Sequence, residues 1–249
     1  MLSGLKKIDK FEKEESFMAT FIIPDIHGCI KTLKCLIEEH VRPVYSDTLV
    51  FLGDYIDRGP HSAATVSYLI ELKQKGYSVV PIRGNHEQML LNTLYNLKSA
   101  ELWMRSGGSS TLASYPSWTN EEGQPLDEII PEEHVAFLLS MPNYHKLTDS
   151  VYAVHGGIVF PITETDDSLQ RMLWLRPWEC EESIPLGNTV IHGHTPVPLR
   201  VVQLQVEQFG SLVNLDAGCV FAGREHGLGY LTCLNLESRE LHYSANLDV

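Results

Sequence analysis

Three short apolar runs constrain this chain more than anything else in it. Each opens directly into a cluster of glycine and chemically active polar residues, and then into an amphipathic stretch. Residues 20–24, 48–52 and 77–82 are too short for helices and rich in Ile, Val and Phe, so they read as buried strands. Between and after them, residues 30–39 space Ile30, Leu33, Leu36 and Ile37 as a helix does, and residues 63–75 do the same with Val66, Leu69, Ile70 and Leu72 before Gly76 stops the turn. Residues 87–97 make a third helix. Strand followed by helix, three times over, predicts an α/β fold with a largely parallel sheet.

The rest of the chain is read more coarsely. Gly107-Gly-Ser-Ser110 reads as a turn, residues 115–126 as a loop holding Pro116, Gly123 and Pro125, and residues 131–139 as a helix with Pro131 in its first turn. Beyond them, residues 151–154, 189–191, 201–206, 212–215, 230–236 and 241–243 read as strands. The expected architecture is one domain over residues 18–249, with two packed sheets flanked by helices. Residues 1–17 alternate lysine and glutamate, lack an apolar h-region and are expected to form a loose arm rather than a secretory signal. No apolar run reaches the about 18 residues that a membrane span needs. The formal charge of −13 disfavours nucleic acids and anionic membranes as partners. Five cysteines, odd in number and without a C-x-x-C pair, read as reduced thiols in the cytoplasm.

Chemistry is expected where strands end. Asp25-x-His27-Gly28, Gly53-Asp54-x-x-Asp57-Arg58-Gly59, Arg83-Gly84-Asn85-His86-Glu87, His155-Gly-Gly157 and His192-Gly193-His194-Thr195 each follow an apolar run. The carboxyl ends of parallel strands line one crevice, so five such blocks bring Asp, Asn and His to one place. Asp25, His27, Asp54, Asn85, His155 and His194 are too many ligands for one tetrahedral ion. They suffice for two ions that keep open positions, with a carboxylate such as Asp54 bridging them. Oxygen and nitrogen donors without thiolate suit Mn²⁺, with Fe or Zn²⁺ as alternatives. Two such ions clamp a phosphoryl group and generate hydroxide near neutral pH.

These blocks, in this order and spacing, resemble the phosphoprotein phosphatase family of metallophosphoesterases. The likeness runs from about Phe21 to Leu236 and includes Arg83-Gly-Asn-His-Glu-Gln-Met89, Trp174-x-Arg176 and Gly193-His-Thr-Pro196. It is nearest to the small bacterial and phage serine/threonine phosphatases, such as the phage lambda enzyme. Symmetrical diadenosine tetraphosphate hydrolases are also similar, and Asp216-Ala-Gly-Cys219 resembles their pattern. The resemblance implies a four-layer α-β-β-α fold of the calcineurin type. It implies one ion on Asp25, His27 and Asp54 and another on Asp54, Asn85, His155 and His194. His86 would be the general acid, Asp57 would orient it, and Arg58 and Arg176 would grip phosphate oxygens. Attack by metal-bound hydroxide would be in line and direct. The substrate would be a phosphoprotein or a small phosphorylated molecule, with protein phosphoserine or phosphothreonine first and diadenosine tetraphosphate second. A non-catalytic binding module on the same scaffold is disfavoured, because every expected ligand and His86 are present.

Other features receive plainer readings. His40, His61, His134, His145, His226 and His242 lack ligand spacing and read as solvated or capping. Arg83 reads either as a substrate contact or as the partner of a nearby carboxylate. Trp103, Tyr115 and Trp118 read as packing, and as an adenine site only if they line the cleft.

Overall fold

The computed structural model describes residues 18–96, 99–120, 123–224 and 226–249. The expected arm at residues 1–17 and the expected helix end at Leu97 lie outside the described residues.

The first sheet contains β1 (Thr20–Ile23), β2 (Thr48–Phe51) and β3 (Ser78–Pro81). The second contains β4 (Tyr144–Lys146), β5 (Val151–Val154), β6 (Thr189–His192) and β7 (Leu212–Asn214). The chain then returns to the first sheet with β8 (Tyr230–Asn235) and β9 (Leu241–Ala245), giving the orders β3-β2-β1-β8-β9 and β4-β5-β6-β7. Both sheets are mixed. β1, β2 and β3 are parallel, as are β5, β6 and β7, while β8, β9 and β4 join antiparallel. The helices are α1 (Ile30–Cys35), α2 (Ser62–Gln74), α3 (Asn85–Tyr95), α4 (Ala100–Trp103), α5 (Ser109–Ala113), α6 (Leu126–Ile129), α7 (Glu132–Leu139), α8 (Asp166–Arg171), α9 (Pro177–Cys180) and α10 (Leu199–Gln208). Helix α1 runs on in a wider turn through Leu36–Val41.

The strand pleat explains the layering. Phe21, Ile23, Leu49 and Phe51 point to one face, where they meet Leu33, Leu36, Val66, Leu69 and Leu90 of the helices. Ile22, Val50 and Leu52 point the other way and pack on Ala153, Ile191 and Val213 of the second sheet. On that sheet's outer side Val154 and Val190 meet Ile158 and Met172. Each fully buried aliphatic side chain contributes about 1.5–3 kcal/mol, so this double interface fixes how the two sheets face each other.

Register then sets the site. Thr20 lies opposite Thr48, and Thr48 opposite Ser78, so β1, β2 and β3 end level with one another. In the second sheet, Ala153 lies opposite Ile191, and Ile191 opposite Val213. The polar blocks after these strands therefore emerge along one edge of the two-sheet stack.

Two local expectations are corrected. Residues 201–206 lie in helix α10 rather than a strand: Val202 and Val206, four apart, bury one stripe while Leu204 faces solvent. Gly107-Gly-Ser-Ser110 is not a simple turn but a kink within a helical run from α4 to α5, made by Gly107 at φ 113°. Strand β4 and helix α8 have no counterpart in the sequence reading. The adjacent positions behave as expected: α7 starts after Pro131, and Gly76 follows α2 at φ 96°. All five cysteines are free thiols. No helix among the described residues is long and apolar enough to cross a membrane.

Candidate metal centre

The loop after β2 is the hub. Asp54, Tyr55 and Ile56 donate their amides to the buried carboxylate of Glu87, at 2.9, 2.8 and 3.3 Å, and Gly84 adds a fourth amide at 2.9 Å. Glu87 thus caps α3 and clamps the β2 loop against it. Gly53 makes the close approach possible. It sits at φ 108°, and a Cβ there would lie 2.6 Å from the Gly84 nitrogen. The Asp54 side chain, held in place by this clamp, is only 2 % exposed.

Among the described residues, two groups of potential ligand atoms share Asp54. One is His27, Asp54 and His86, the other Asp54, His155 and His194, with the atoms of each within 4.8 Å of one another. His155 Nε2 stands 3.4 Å from Asp54 Oδ1 and 2.8 Å from Asn85 Oδ1, and His194 Nδ1 stands 3.1 Å from it. His27 Nε2 is 3.5 Å from Asp54 Oδ2. Asp25 Oδ1 accepts the His194 amide at 3.0 Å and lies 3.9 Å from His155 Nδ1. All six residues read from the sequence as ligands therefore fall in one buried cluster drawn from both sheets. Asp25 makes its contacts on the His155–His194 side. His86 joins the His27 group, although the sequence reading kept it apart from the ligands.

The donor set suits cations on structural grounds. His27 Nδ1–H donates to the Ile56 carbonyl at 2.7 Å, and His155 Nδ1–H to that of Leu52 at 3.0 Å. Each ring is thereby oriented with Nε2 turned inward, the arrangement that presents a lone pair to a metal. His155 Nε2 faces the Asp54 carboxylate and the Asn85 amide oxygen, so there acceptors meet acceptors unless a proton or a cation lies between them, whereas the His27 lone pair is met by Arg58. The electrostatics agree. Burial, then Asp216 and Asp54, drive the Asp25 carboxyl well above its usual value. Burial also opposes ionisation of Asp54, yet His155, His86 and His27 hold it well below. Burial lowers His155, but Asp54 and Asp25 outweigh it and press the imidazole up to about 9. The cluster is an anionic pocket short of positive charge.

Beside it lies a dyad. His86 Nδ1 and Asp57 Oδ2 are 2.6 Å apart, both side chains buried, and His86 Nε2 looks back toward Asp54 at 3.8 Å. Two groups that the sequence reading did not connect to Asp57 hold it. Trp103 Nε1 donates to both carboxylate oxygens at 3.0 Å, and Thr111 Oγ1 donates to Oδ1 at 2.5 Å. They lie 46 and 54 residues away, beyond any local pattern. Arg58 is exposed at the rim, with Nη1 2.6 Å from His27 Nε2 and its guanidinium over the Phe221 ring. Arg176 is also exposed and reaches Thr195 Oγ1 at 3.3 Å.

The remaining candidates separate cleanly. Arg83 donates to Gln88 Oε1 and to the Leu138 and Leu139 carbonyls at the end of α7; among the described residues no carboxylate forms a close ion pair with it, although the Glu87 charge acts on it. His134 is neither solvated nor capping; it is buried between Tyr115 Oη at 2.9 Å and Ser67 Oγ at 3.0 Å. Trp103 and Tyr115 are buried and Trp118 packs on the core, so this trio forms no adenine site. His192 is fully buried and pushed down to about 4 by burial, its Nδ1 paired with the Gly193 carbonyl at 2.9 Å. Asp216, read from the sequence only as part of a hydrolase-like pattern and given no role there, acts on Asp25, and its own carboxyl is raised by burial to about 6.

Comparison with known proteins decides the family. Residues 18–228 match the model of the calcineurin-like phosphoesterases. The chain belongs to that family. This phosphoesterase is 27% identical over 239 residues to a Bacillus cereus asymmetrical bis(5'-nucleosyl)-tetraphosphatase, PrpE, covering 84% of the chain and 89% of the relative. It is equally 27% identical over 207 residues to serine/threonine-protein phosphatase 1 of Salmonella typhimurium, covering 82% and 88%. A crystallised candidate diadenosine tetraphosphatase superposes with a TM-score of 0.64 at 19% identity, over 94% of this chain and 96% of that one. The phosphoesterase family uses a dinuclear divalent centre, and the cluster around Asp54 supplies its candidate ligands.

Proposed function

We propose that residues 18–249 form one catalytic domain, a divalent-metal-dependent hydrolase of phosphate esters and anhydrides. Its preferred substrate is a dinucleoside polyphosphate. The observation that carries the reaction class is the His86–Asp57 dyad, 2.6 Å long and buried, set beside the Asp54 cluster.

Asp25, His27, Asp54, Asn85, His155 and His194 would hold two divalent ions, most simply Mn²⁺, which would supply Lewis acidity and an activated water. The chain's own groups do the rest. Asp57 fixes the His86 ring through Nδ1, leaving Nε2 to hold a proton for the departing oxygen. Arg58 and Arg176 grip non-bridging phosphate oxygens by charge-assisted bonds. A small phosphorylated molecule fits such a cleft inside a surface of charge −13 better than a nucleic acid does. Five free thiols suit a reducing cytoplasm.

The nucleotide preference rests on two exposed indoles, Trp174 and Trp178, beside Arg176, and on the name of the Bacillus relative. The phosphoserine and phosphothreonine reading, first on motif resemblance, stands second and is supported by the Salmonella relative. The deciding experiment compares kcat/KM of the Mn²⁺-reconstituted protein on diadenosine tetraphosphate and on a phosphoserine peptide. A preference of about tenfold or more, equivalent to about 1.4 kcal/mol, decides the substrate either way. For the mechanism, His86→Asn should slow poor leaving groups by about 10²–10⁴-fold and activated aryl phosphates far less. Equal losses on both remove His86 from the acid role.

A further inference from the structure

Two of the tryptophans stand in solvent on either side of Arg176 in the sequence. Trp174 is 43% exposed and Trp178 71% exposed. Their backbone is nevertheless anchored. Gly156 and Gly157, next to His155, donate amides to the Met172 carbonyl at 3.0 and 3.1 Å, and Leu173, Leu175 and Cys180 are buried. Glu179 Oε2 accepts the Arg176 amide at 2.8 Å and fixes the start of α9. The outward indoles are therefore held on a fixed strap. The Trp174 ring meets the His194 ring edge-on with centroids 6.4 Å apart, and the Trp178 ring faces the Arg176 guanidinium at 5.8 Å.

We propose that Trp178, with Trp174 as a second wall, is a nucleobase-stacking subsite that selects which phosphate is attacked; this rests on the dinucleoside polyphosphate reading above. An aromatic face held in water accepts any base by stacking and needs no hydrogen-bond code. Position gives the selection. Arg176 grips the reacting phosphate, and Trp178 lies against Arg176. One ribose separates a base from its own α-phosphate, whereas the other phosphates are farther along the chain. A base stacked on Trp178 therefore delivers its α-phosphate to the centre. Water oxygen bonds to that phosphorus, the bond from it to the oxygen of the β-phosphate breaks, and that departing oxygen takes the His86 proton. One dinucleoside tetraphosphate plus one water gives one nucleoside monophosphate and one nucleoside triphosphate.

The test uses the full chain loaded with Mn²⁺, as wild type, Trp178→Ala and Trp178→Phe. Three quantities are read: the products from diadenosine tetraphosphate, the ratio of kcat/KM on it to kcat/KM on p-nitrophenyl phosphate, and the calorimetric Kd for AMP. The expected products are AMP and ATP. Trp178→Ala should lower the ratio and weaken AMP by about tenfold each, and Trp178→Phe should restore most of both. Two ADP molecules as products, or an equal fall on both substrates, overturn the subsite. If the wild type ignores diadenosine tetraphosphate, the substrate reading fails. The AMP titration still judges the subsite in that case, and an AMP affinity that Trp178→Ala leaves unchanged overturns it.

Discussion

Trp103→Phe tests whether a buried indole that binds Asp57 sets the acid chemistry. In the structure its Nε1–H is shared between Asp57 Oδ1 and Oδ2, 3.0 Å from each, and the ring lies flat against Gly108. Phenylalanine removes this donor and the pyrrole half of the ring. A hydrogen bond to a charged group contributes about 1.5–3 kcal/mol, and the small void adds to that, so unfolding should become easier by about 2–4 kcal/mol. Thr111 remains bonded to Oδ1 and His86 to Oδ2, so Asp57 keeps two side-chain donors and the dyad persists in loosened form. A loosened Asp57 holds the His86 ring over a wider range of angles. Proton delivery to an alkyl or phosphate leaving group should fall about tenfold, or about 1.4 kcal/mol in the barrier. The assay is kcat over a series of phosphate esters of rising leaving-group pKa, beside urea unfolding of the same samples. A steeper dependence on leaving-group pKa is expected. If kcat drops equally for every ester, or stability falls with no kinetic change, the link from Trp103 through Asp57 to His86 is refuted.

The same geometry gives two more expected outcomes. Glu87→Ala strands four backbone amides that now share one carboxylate, at about 1–3 kcal/mol for each that stays unmet. The urea midpoint should fall by the equivalent of roughly 3–5 kcal/mol, with Glu87→Gln recovering only part; an unchanged midpoint would deny Glu87 its bracing role. Burial holds His134 below its ordinary value of 6.5, so the unfolded chain binds a proton that the folded chain resists. That contribution is complete above pH 6.5 and is lost as pH falls. His134→Gln should flatten the decline in unfolding free energy between about pH 7.5 and about pH 5.5, and an unaltered slope would place the titration elsewhere.

How much could be read from the chain depended on distance along it. The strands β1 to β3 and their polar blocks were legible because apolar run, glycine and ligand are contiguous and the strand end places the ligand. The six expected ligands meet for that reason. Residues 201–206 misled because Val-Val-Gln-Leu-Gln-Val alternates like a strand, and only the packing of Val202 and Val206 on the inter-sheet core shows the helix. Strand β4 carries Tyr144, His145 and Lys146, with no apolar alternation to reveal it; its pairing with β5 makes it a strand. The support of Asp57 by Trp103 and Thr111, and the turn of Arg83 toward α7, are products of tertiary approach and leave no trace in local spacing. Trp174 and Trp178 surround an arginine that the motif did reveal, but only their exposure separates them from core tryptophans.

The centre is also where the backbone is least at ease. His27, Asp54, Asp57, Arg58 and His194 all have positive φ, at 48°, 52°, 70°, 67° and 67°. Each such conformation in a non-glycine residue costs of the order of 1–3 kcal/mol, and glycine would adopt it without strain. Mutational drift has an open downhill route here: a lineage in which the reaction stopped mattering would gain robustness by exchanging these residues one at a time for glycine or asparagine. The same five positions carry the cluster and its rim, so the geometry that builds the site and the stability of the chain pull in opposite directions there.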